Sequence, residues 1–135
     1  MNIDKYKGAI ADIARVYGLD FVILFGSQAT GKTHEKSDID IGIIGRGKID
    51  RLAIGREMEN IFDRTDLEII NLAEVSPTLM YAVLRDGKIM YEKEVNLFLK
   101  WRVYASKIWM DTAWMRSLRD RKLKEWSQQY KATTL

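Results

Sequence analysis

The stretch from Gly26 to Ile44 constrains the fold more than any other, because it fits two phosphate-handling motifs that require different folds. In one interpretation, Gly26-Ser27 is followed after ten residues by Asp38-x-Asp40. In the other, the same stretch contains a Walker A loop with the pattern G-x-x-x-x-G-K-[ST]. The two motifs make different demands on the chain that follows them, so the surrounding sequence decides between them.

A Walker A loop here would end in Lys32-Thr33 and would have to continue into a helix that crosses the sheet. Such a crossover needs about a dozen residues before the next parallel strand. Only four residues separate Thr33 from the stretch 38–44, whose alternation and isoleucines predict a strand. The spacing therefore favours two neighbouring strands joined by a short irregular segment, and the Walker A interpretation ranks last.

The second of these strands carries a pair of carboxylates on one face. Asp38 and Asp40 are two residues apart, so their α-carbons are separated by roughly 6 to 7 Å and both side chains leave the same side of the strand. Carboxylate oxygens are the ligands that Mg²⁺ prefers, and a bound cation relieves the repulsion between them. In the alternative interpretation, Ser37 and Asp38 only form a turn that opens an edge strand.

The Gly-Ser pair, the ten-residue gap and the Asp-x-Asp strand together resemble the signature of nucleotidyltransferases of the DNA polymerase β superfamily. The size and the downstream pattern are most similar to the minimal nucleotidyltransferases, or MNT proteins, encoded beside HEPN proteins in prokaryotes. The resemblance covers roughly residues 3–93. It implies an α/β fold of the polymerase β type with a small mixed β-sheet, followed here by a long C-terminal helical segment.

The resemblance also implies which residues bind metal. Two Mg²⁺ ions would be held by three carboxylates that are also the expected catalytic residues, namely Asp38, Asp40 and Asp66. Asp66 opens the strand-like run 66–72, and Glu68 on the same face is the fallback for the third carboxylate. The alternative for Glu68, which the expected exposure of one face of a half-buried strand favours, is a solvated charge without a role in the site.

Nucleotide binding, with ATP as the expected substrate, falls on four further residues: Gly26, Ser27, Ser37 and Lys32. Many relatives carry an arginine in the loop after the Gly-Ser pair, where this chain has Thr30 and Lys32. Lysine supplies a point charge but not the planar fork of arginine. Which residue of this loop makes a cationic contact to phosphate is therefore left open by the sequence.

The acceptor that the resemblance implies is a hydroxyl group, with AMP transferred to a tyrosine of a partner HEPN toxin. The chain would then be the antitoxin of a toxin–antitoxin pair, a protein adenylyltransferase in a hetero-oligomer. A second hypothesis is a non-catalytic antitoxin that neutralises its partner through a tryptophan-rich C-terminal helix. A third, a small-molecule nucleotidyltransferase, is less favoured because we find no second substrate domain.

Composition excludes several other kinds of site. The 135 residues contain no cysteine and one histidine, which removes disulfides, thiolate metal sites and histidine-cluster metal sites.

The start lacks the apolar segment of a signal peptide, and no apolar run approaches the 18 or so residues of a membrane span. We therefore expect a cytoplasmic protein without membrane contact. The basic run 116–124 is expected to be a solvated helix end, so nucleic acid is not an expected partner.

The chain is expected to form one structural unit, with a catalytic domain in residues 1–93 and a helical extension in 94–135. Periodicity and capping signals predict this order of elements: helix 3–17, strand 20–25, strand 38–44, helix 50–62, strand 66–72, helix 77–86 and strand 88–92. Residues 94–129 lack glycine and proline, which predicts one long helix or two stacked ones. This part of the chain holds all four tryptophans: Trp101, Trp109, Trp114 and Trp126.

Overall fold

Four strands form the central sheet: β1 (Leu19–Phe25), β2 (Ile39–Gly45), β3 (Leu67–Asn71) and β4 (Lys88–Glu92). The computed structural model describes residues 2–26 and 38–134, with side chains up to residue 131. The strands lie in the order β3-β2-β1-β4. β1 is antiparallel to β2 and β4, whereas β2 and β3 are parallel, so the sheet is mixed.

The pairing of β1 with β2 decides between the two motifs. The strands are direct antiparallel neighbours, and Phe25 at the end of β1 pairs with Asp40 near the start of β2. A Walker A loop would instead lead through a crossover helix to a parallel strand. The Walker A interpretation is therefore wrong, and the expectation of two neighbouring strands is confirmed.

The described residues form five α-helices: α1 (Lys7–Val16), α2 (Arg51–Phe62), α3 (Pro77–Asp86), α4 (Leu97–Asp111) and α5 (Ala113–Thr134). A short 3-10 helix, Ile3–Tyr6, precedes α1, so the predicted helix 3–17 is divided at its start. Two helix starts follow the sequence signals. The side chain of Asp50 accepts a hydrogen bond from the Ala53 amide at 3.1 Å, and that of Ser76 from the Leu79 amide at 3.3 Å.

The C-terminal segment is two helices, and they separate at Thr112. The Thr112 hydroxyl donates to the carbonyl oxygen of Ile108 at 2.7 Å. Arg116 donates to the Thr112 hydroxyl at 2.7 Å and to the carbonyl oxygen of Trp109 at 2.6 Å. These side-chain hydrogen bonds satisfy groups at the junction, so a helix break forms without glycine or proline.

The sheet buries a different set of side chains on each face because successive residues of a strand point to opposite sides. One face packs against α1 and α2 and includes Ile39, Ile41 and Ile43 of β2. The other packs against α3 and α4 and includes Phe21, Ile23 and Phe25 of β1. The fold is therefore a three-layer α/β arrangement, and the predicted α/β class with a small mixed sheet is confirmed.

Helix α4 belongs to the second core. It contributes Phe98, Trp101 and Ala105, and the Trp101 indole nitrogen donates to the carbonyl oxygen of Leu72 at 3.3 Å. The first half of the C-terminal segment thus packs across the sheet, whereas the described side chains of α5, up to residue 131, include no buried one. The division of the chain at residue 93 stays a prediction.

Among the described residues, none of the helices combines the length and the apolar character that crossing a membrane requires.

Candidate active site

The site begins where β1 ends, at Gly26. Its backbone has φ +76°, a left-handed conformation that side chains other than glycine adopt at a cost. A β-carbon added at Gly26 would also collide with a carboxylate oxygen of Asp40 and would lie 3.3 Å from its Cγ. Glycine is thus required at this position by its conformation and by the close approach of the carboxylate.

Asp40 lies at the edge of the second core, on the same side of the sheet as Phe25. It is partly buried, and this burial raises the pKa of its carboxyl to about 6. Burial is the largest cause of this rise in pKa, and the charges of Glu68 and Asp38 and a hydrogen bond with Glu68 contribute to it. Asp40 therefore lies in a site that disfavours its negative charge, and a cation placed there would be stabilised.

Glu68 is brought beside Asp40 by the parallel pairing of β2 and β3. The two residues are direct partners across the strands, and partners in a parallel pair point to the same face. Glu68 is expected from the sequence to be mainly a solvated charge, and its side chain is indeed exposed. The structure adds that this charge lies next to Asp40.

Asp38 and Asp66 occupy the next step along the same two strands. They precede the paired residues Ile39 and Leu67, and the Ile39 amide donates to the Asp66 carbonyl oxygen at 3.0 Å. Asp38 is exposed and Asp66 is half-buried. Four carboxylates, Asp38, Asp40, Asp66 and Glu68, are therefore carried by the adjacent starts of two parallel strands.

Arg64 holds the Asp66 carboxylate. Its Nε donates to Oδ1 of Asp66 at 2.8 Å, and a second guanidinium nitrogen bonds to the other carboxylate oxygen. This hydrogen bonding lowers the pKa of Asp66, and Asp66 and Asp38 both contribute to raising the pKa of Arg64. The bidentate geometry keeps Asp66 ionised and fixes its orientation.

Arg64 is a site residue that is not predicted from the sequence. A signal was present, because Arg64 and Asp66 are two residues apart at the start of a predicted strand and can face the same side. That spacing is common among surface charges, so it does not single out this pair.

Three of the predicted nucleotide-binding residues, Ser27, Lys32 and Ser37, lie outside the described residues. Of that group, the structure describes Gly26 alone.

The chemistry of the described donors fits a hard divalent cation. All four side chains offer carboxylate oxygens, the ligands that Mg²⁺ prefers, and the bare α-carbon of Gly26 leaves one side of Asp40 without a covering side chain. In residues 2–26 and 38–134, however, no three acidic or histidine side chains already lie close enough together to enclose a metal ion. The carboxylate donors and the pairing of the two strands therefore support a cation site. The side chains themselves are not arranged around a common point in the described residues.

Comparison with known proteins agrees with this arrangement. A family model for "Polymerase beta, Nucleotidyltransferase" matches residues 9–96. Over 76 residues, the chain is 29% identical to the protein adenylyltransferase MntA of Shewanella oneidensis, and the match covers 54% of each chain. The alignment thus spans about half the length of that curated relative.

The fold is similar to those of solved toxin–antitoxin structures. A crystal structure of a toxin–antitoxin with AMP-PNP gives a TM-score of 0.71 at 22% identity, covering 91% of this chain and 99% of that chain. A complex of a tri-AMPylated Shewanella oneidensis HEPN toxin with an MNT antitoxin gives a TM-score of 0.67 at 20% identity, covering 90% and 98%. At these identities the likeness shows the fold, and it confirms the predicted polymerase β-like architecture.

The family match covers more than half of the chain and includes β1, β2 and β3, the three strands that carry Gly26 and the carboxylates. The chain therefore belongs to the polymerase β nucleotidyltransferase family.

Proposed function

We propose that this protein is a Mg²⁺-dependent adenylyltransferase that moves AMP from ATP onto a hydroxyl group of a partner protein. The observation that carries the proposal is the position of Asp40, which lies against Gly26 and beside Glu68 at the starts of two parallel strands. The loop that follows Gly26 is where a nucleotide triphosphate would bind. The carboxylates and the triphosphate would then be neighbours.

In the proposed reaction, the acceptor oxygen attacks the α-phosphorus of ATP. The new oxygen–phosphorus bond forms as the bond between the α-phosphorus and the bridging oxygen breaks, and pyrophosphate leaves. The acceptor hydroxyl gives its proton to a base, for which Asp66 is the proposed residue. Catalysis of such a transfer depends mainly on positioning and on neutralising charge. The proposed residues for positioning the triphosphate are Gly26, Ser27, Ser37 and Lys32.

The proposed metal ligands are Asp38, Asp40 and Asp66, for two Mg²⁺ ions. When bound, Mg²⁺ supplies positive charge to the entering and leaving oxygens. Arg64 supports the choice of Asp66, because its bidentate hydrogen bonds hold that carboxylate ionised. Glu68 is an auxiliary carboxylate in this proposal, since it lies beside Asp40 and adds to the negative charge that attracts a cation.

The proposed acceptor is a tyrosine of a HEPN-type toxin, and the proposed role is that of an antitoxin in the cytoplasm, where ATP is available. The relatives support this choice, since one is a protein adenylyltransferase and another is an MNT antitoxin in complex with a tri-AMPylated HEPN toxin. The match to the former covers about half of its length.

Transfer of label from α-³²P-ATP to the partner tests the proposal. The wild-type chain, mixed with Mg²⁺ and a purified HEPN-type protein, the proposed partner, is expected to label that protein. Asp38→Asn and Asp40→Asn are expected to abolish the label while the complex still forms, which co-purification of each variant with the partner checks. Labelling that persists in both variants would overturn the proposed site.

A second candidate function is a non-catalytic antitoxin that acts by binding alone. The exposed apolar side chains of α4 and α5 favour it, since they include Val103, Met110, Trp114 and Trp126. Cell protection separates the two functions. If Asp38→Asn with Asp40→Asn protects cells from the toxin as well as wild type does, binding is sufficient.

A further inference from the structure

Helix α4 carries an exposed apolar stripe on the side opposite its buried residues. The stripe consists of Leu99, Val103, Ser106 and Met110, at intervals of four, three and four residues. This spacing places all four side chains on one side of a helix. Leu99, Val103 and Met110 are 51%, 66% and 72% exposed.

The stripe has the shape of a helix-packing surface. Its members line a shallow surface depression. Apolar residues at intervals of three and four are the positions that pack against a second helix, and a small residue such as Ser106 allows close approach. Phe98, Trp101 and Ala105 bury the opposite side of α4, so the stripe is an exposed apolar side of this helix that can contact another molecule.

Positive charge borders the stripe on both sides. Arg102 and Lys107 line the same depression and lie on opposite flanks of the stripe, with Asp111 as the acidic member at its end. The following helix α5 adds six Lys or Arg residues against two Asp or Glu residues. A partner helix with acidic flanks is therefore complementary to this surface.

The same charges oppose a second copy of the chain. Two copies of α4 packed through this stripe would bring two Arg102 and two Lys107 side chains around one interface. Like charges at an interface disfavour association. The surface thus favours a different protein over self-association.

We propose that the Leu99–Val103–Ser106–Met110 stripe of α4 binds an acidic amphipathic helix of the partner protein. The inference rests on the proposed function for the existence of that partner, and it assigns the docking surface to α4 rather than to the exposed tryptophans of α5. Docking on α4 would hold the acceptor protein on the rigid body of the enzyme, since α4 packs on β1 through Trp101 and Phe98.

Two neighbouring substitutions test the proposal. Val103→Glu places a negative charge in the stripe, whereas Tyr104→Glu is the matched control, since Tyr104 is 54% exposed on a different side of the same helix. Binding to a separately purified HEPN-type protein, the proposed partner, is measured by isothermal titration calorimetry. We expect Val103→Glu to raise the dissociation constant by at least about 30-fold and Tyr104→Glu to raise it by less than about 3-fold.

The charge of the partner is tested separately. Arg102→Glu combined with Lys107→Glu is expected to weaken binding by at least about 10-fold, and added salt is expected to weaken the wild-type complex. All variants are checked for an unchanged circular dichroism spectrum and unchanged binding of ATP with Mn²⁺. These controls separate loss of docking from loss of folding or of the nucleotide site.

The outcomes distinguish this inference from the proposed function. A wild-type complex that survives Val103→Glu overturns the docking surface and leaves the adenylyltransferase proposal standing. A complex that is sensitive to Val103→Glu but shows no label transfer supports the surface and overturns the catalytic proposal. Two further outcomes overturn the inference. One is that the wild-type chain binds vesicles of phosphatidylserine and phosphatidylcholine and not the protein. The other is that it self-associates in sedimentation in a way that depends on Val103.

Discussion

The carboxylate of Asp40 lies against the bare α-carbon of Gly26, at the point where β1 ends and beside the start of β2. This contact links the backbone turn after β1 to the charged residues of β2. A substitution that adds a side chain at Gly26 is therefore expected to displace the carboxylate of Asp40.

Replacing Gly26 with alanine tests this link. The left-handed conformation costs a residue with a β-carbon about 1–2 kcal/mol, and the collision with Asp40 adds to that cost. We expect Gly26→Ala to lower the melting temperature and to abolish AMP transfer. Gly47→Ala is the control, since Gly47 has φ +72° but nothing within 4 Å of an added β-carbon. Equal losses of activity in the two variants would contradict the role of the Gly26–Asp40 contact.

The raised pKa of Asp40 predicts a pH dependence of stability in the metal-free protein. Asp40 binds its proton more tightly in the folded protein, with a pKa of about 6, than in the unfolded chain, where the ordinary value of 3.8 applies. The folded state therefore loses stability relative to the unfolded state as the pH rises through this interval, and the loss is complete above pH of about 6.

Asp40→Asn removes this penalty. In the presence of a chelator, we expect the variant to melt at a higher temperature than wild type at pH of about 8, and the difference to shrink towards pH of about 4. Mg²⁺ should raise the melting temperature of wild type and have a smaller effect on the variant. A difference in melting temperature that does not change with pH would contradict the environment assigned to Asp40.

The two candidates for the third carboxylate are separated by paired substitutions. We expect Asp66→Asn to lower the transfer rate by about 10²–10⁴-fold if Asp66 ligates the metal and assists deprotonation of the acceptor. Glu68→Gln should change mainly the affinity for Mg²⁺, because Glu68 lies beside Asp40 across the two strands, whereas Asp66 is oriented by Arg64. Single-turnover rates and Mg²⁺ titrations measure both effects, and the reverse ranking of the rates would make Glu68 the catalytic carboxylate.

Trp101 and Trp126 are predicted to differ in their contributions to stability. Trp101 is buried, packs near Phe21 and Phe98, and bonds to the Leu72 carbonyl oxygen, so Trp101→Ala should cost about 3–5 kcal/mol of unfolding free energy. Trp126 is 62% exposed, and Trp126→Ala should change stability by less than about 0.5 kcal/mol. Urea unfolding of both variants measures these values. A large loss in Trp126→Ala would mean that α5 is packed against the rest of the chain.

The strands and helix starts could be predicted because their causes are local. Alternating apolar residues define β2, and the side chains of Asp50 and Ser76 cap the helices that follow them. The helix break at Thr112 was harder to predict from the sequence. It is stabilised by hydrogen bonds from the Arg116 side chain, which the spacing of apolar residues does not reveal. Sequence spacing therefore left one helix and two helices as open alternatives.

That Asp38 and Asp40 lie on one face could be predicted from their spacing alone, because the period of a strand fixes it. The contacts of Glu68 and Arg64 could not. Which residue of β3 lies beside Asp40 depends on the register between two strands that a whole helix separates in the chain. Alternation within each strand is compatible with several such registers.

Binding of Mn²⁺, followed by electron paramagnetic resonance in the presence of a non-hydrolysable ATP analogue, tests most directly whether these carboxylates form a metal–nucleotide site. We expect wild type to bind Mn²⁺ more tightly with the analogue than without it, and Asp38→Asn combined with Asp40→Asn to lose this binding while keeping its fold. Unchanged Mn²⁺ binding in the folded double variant would contradict the site.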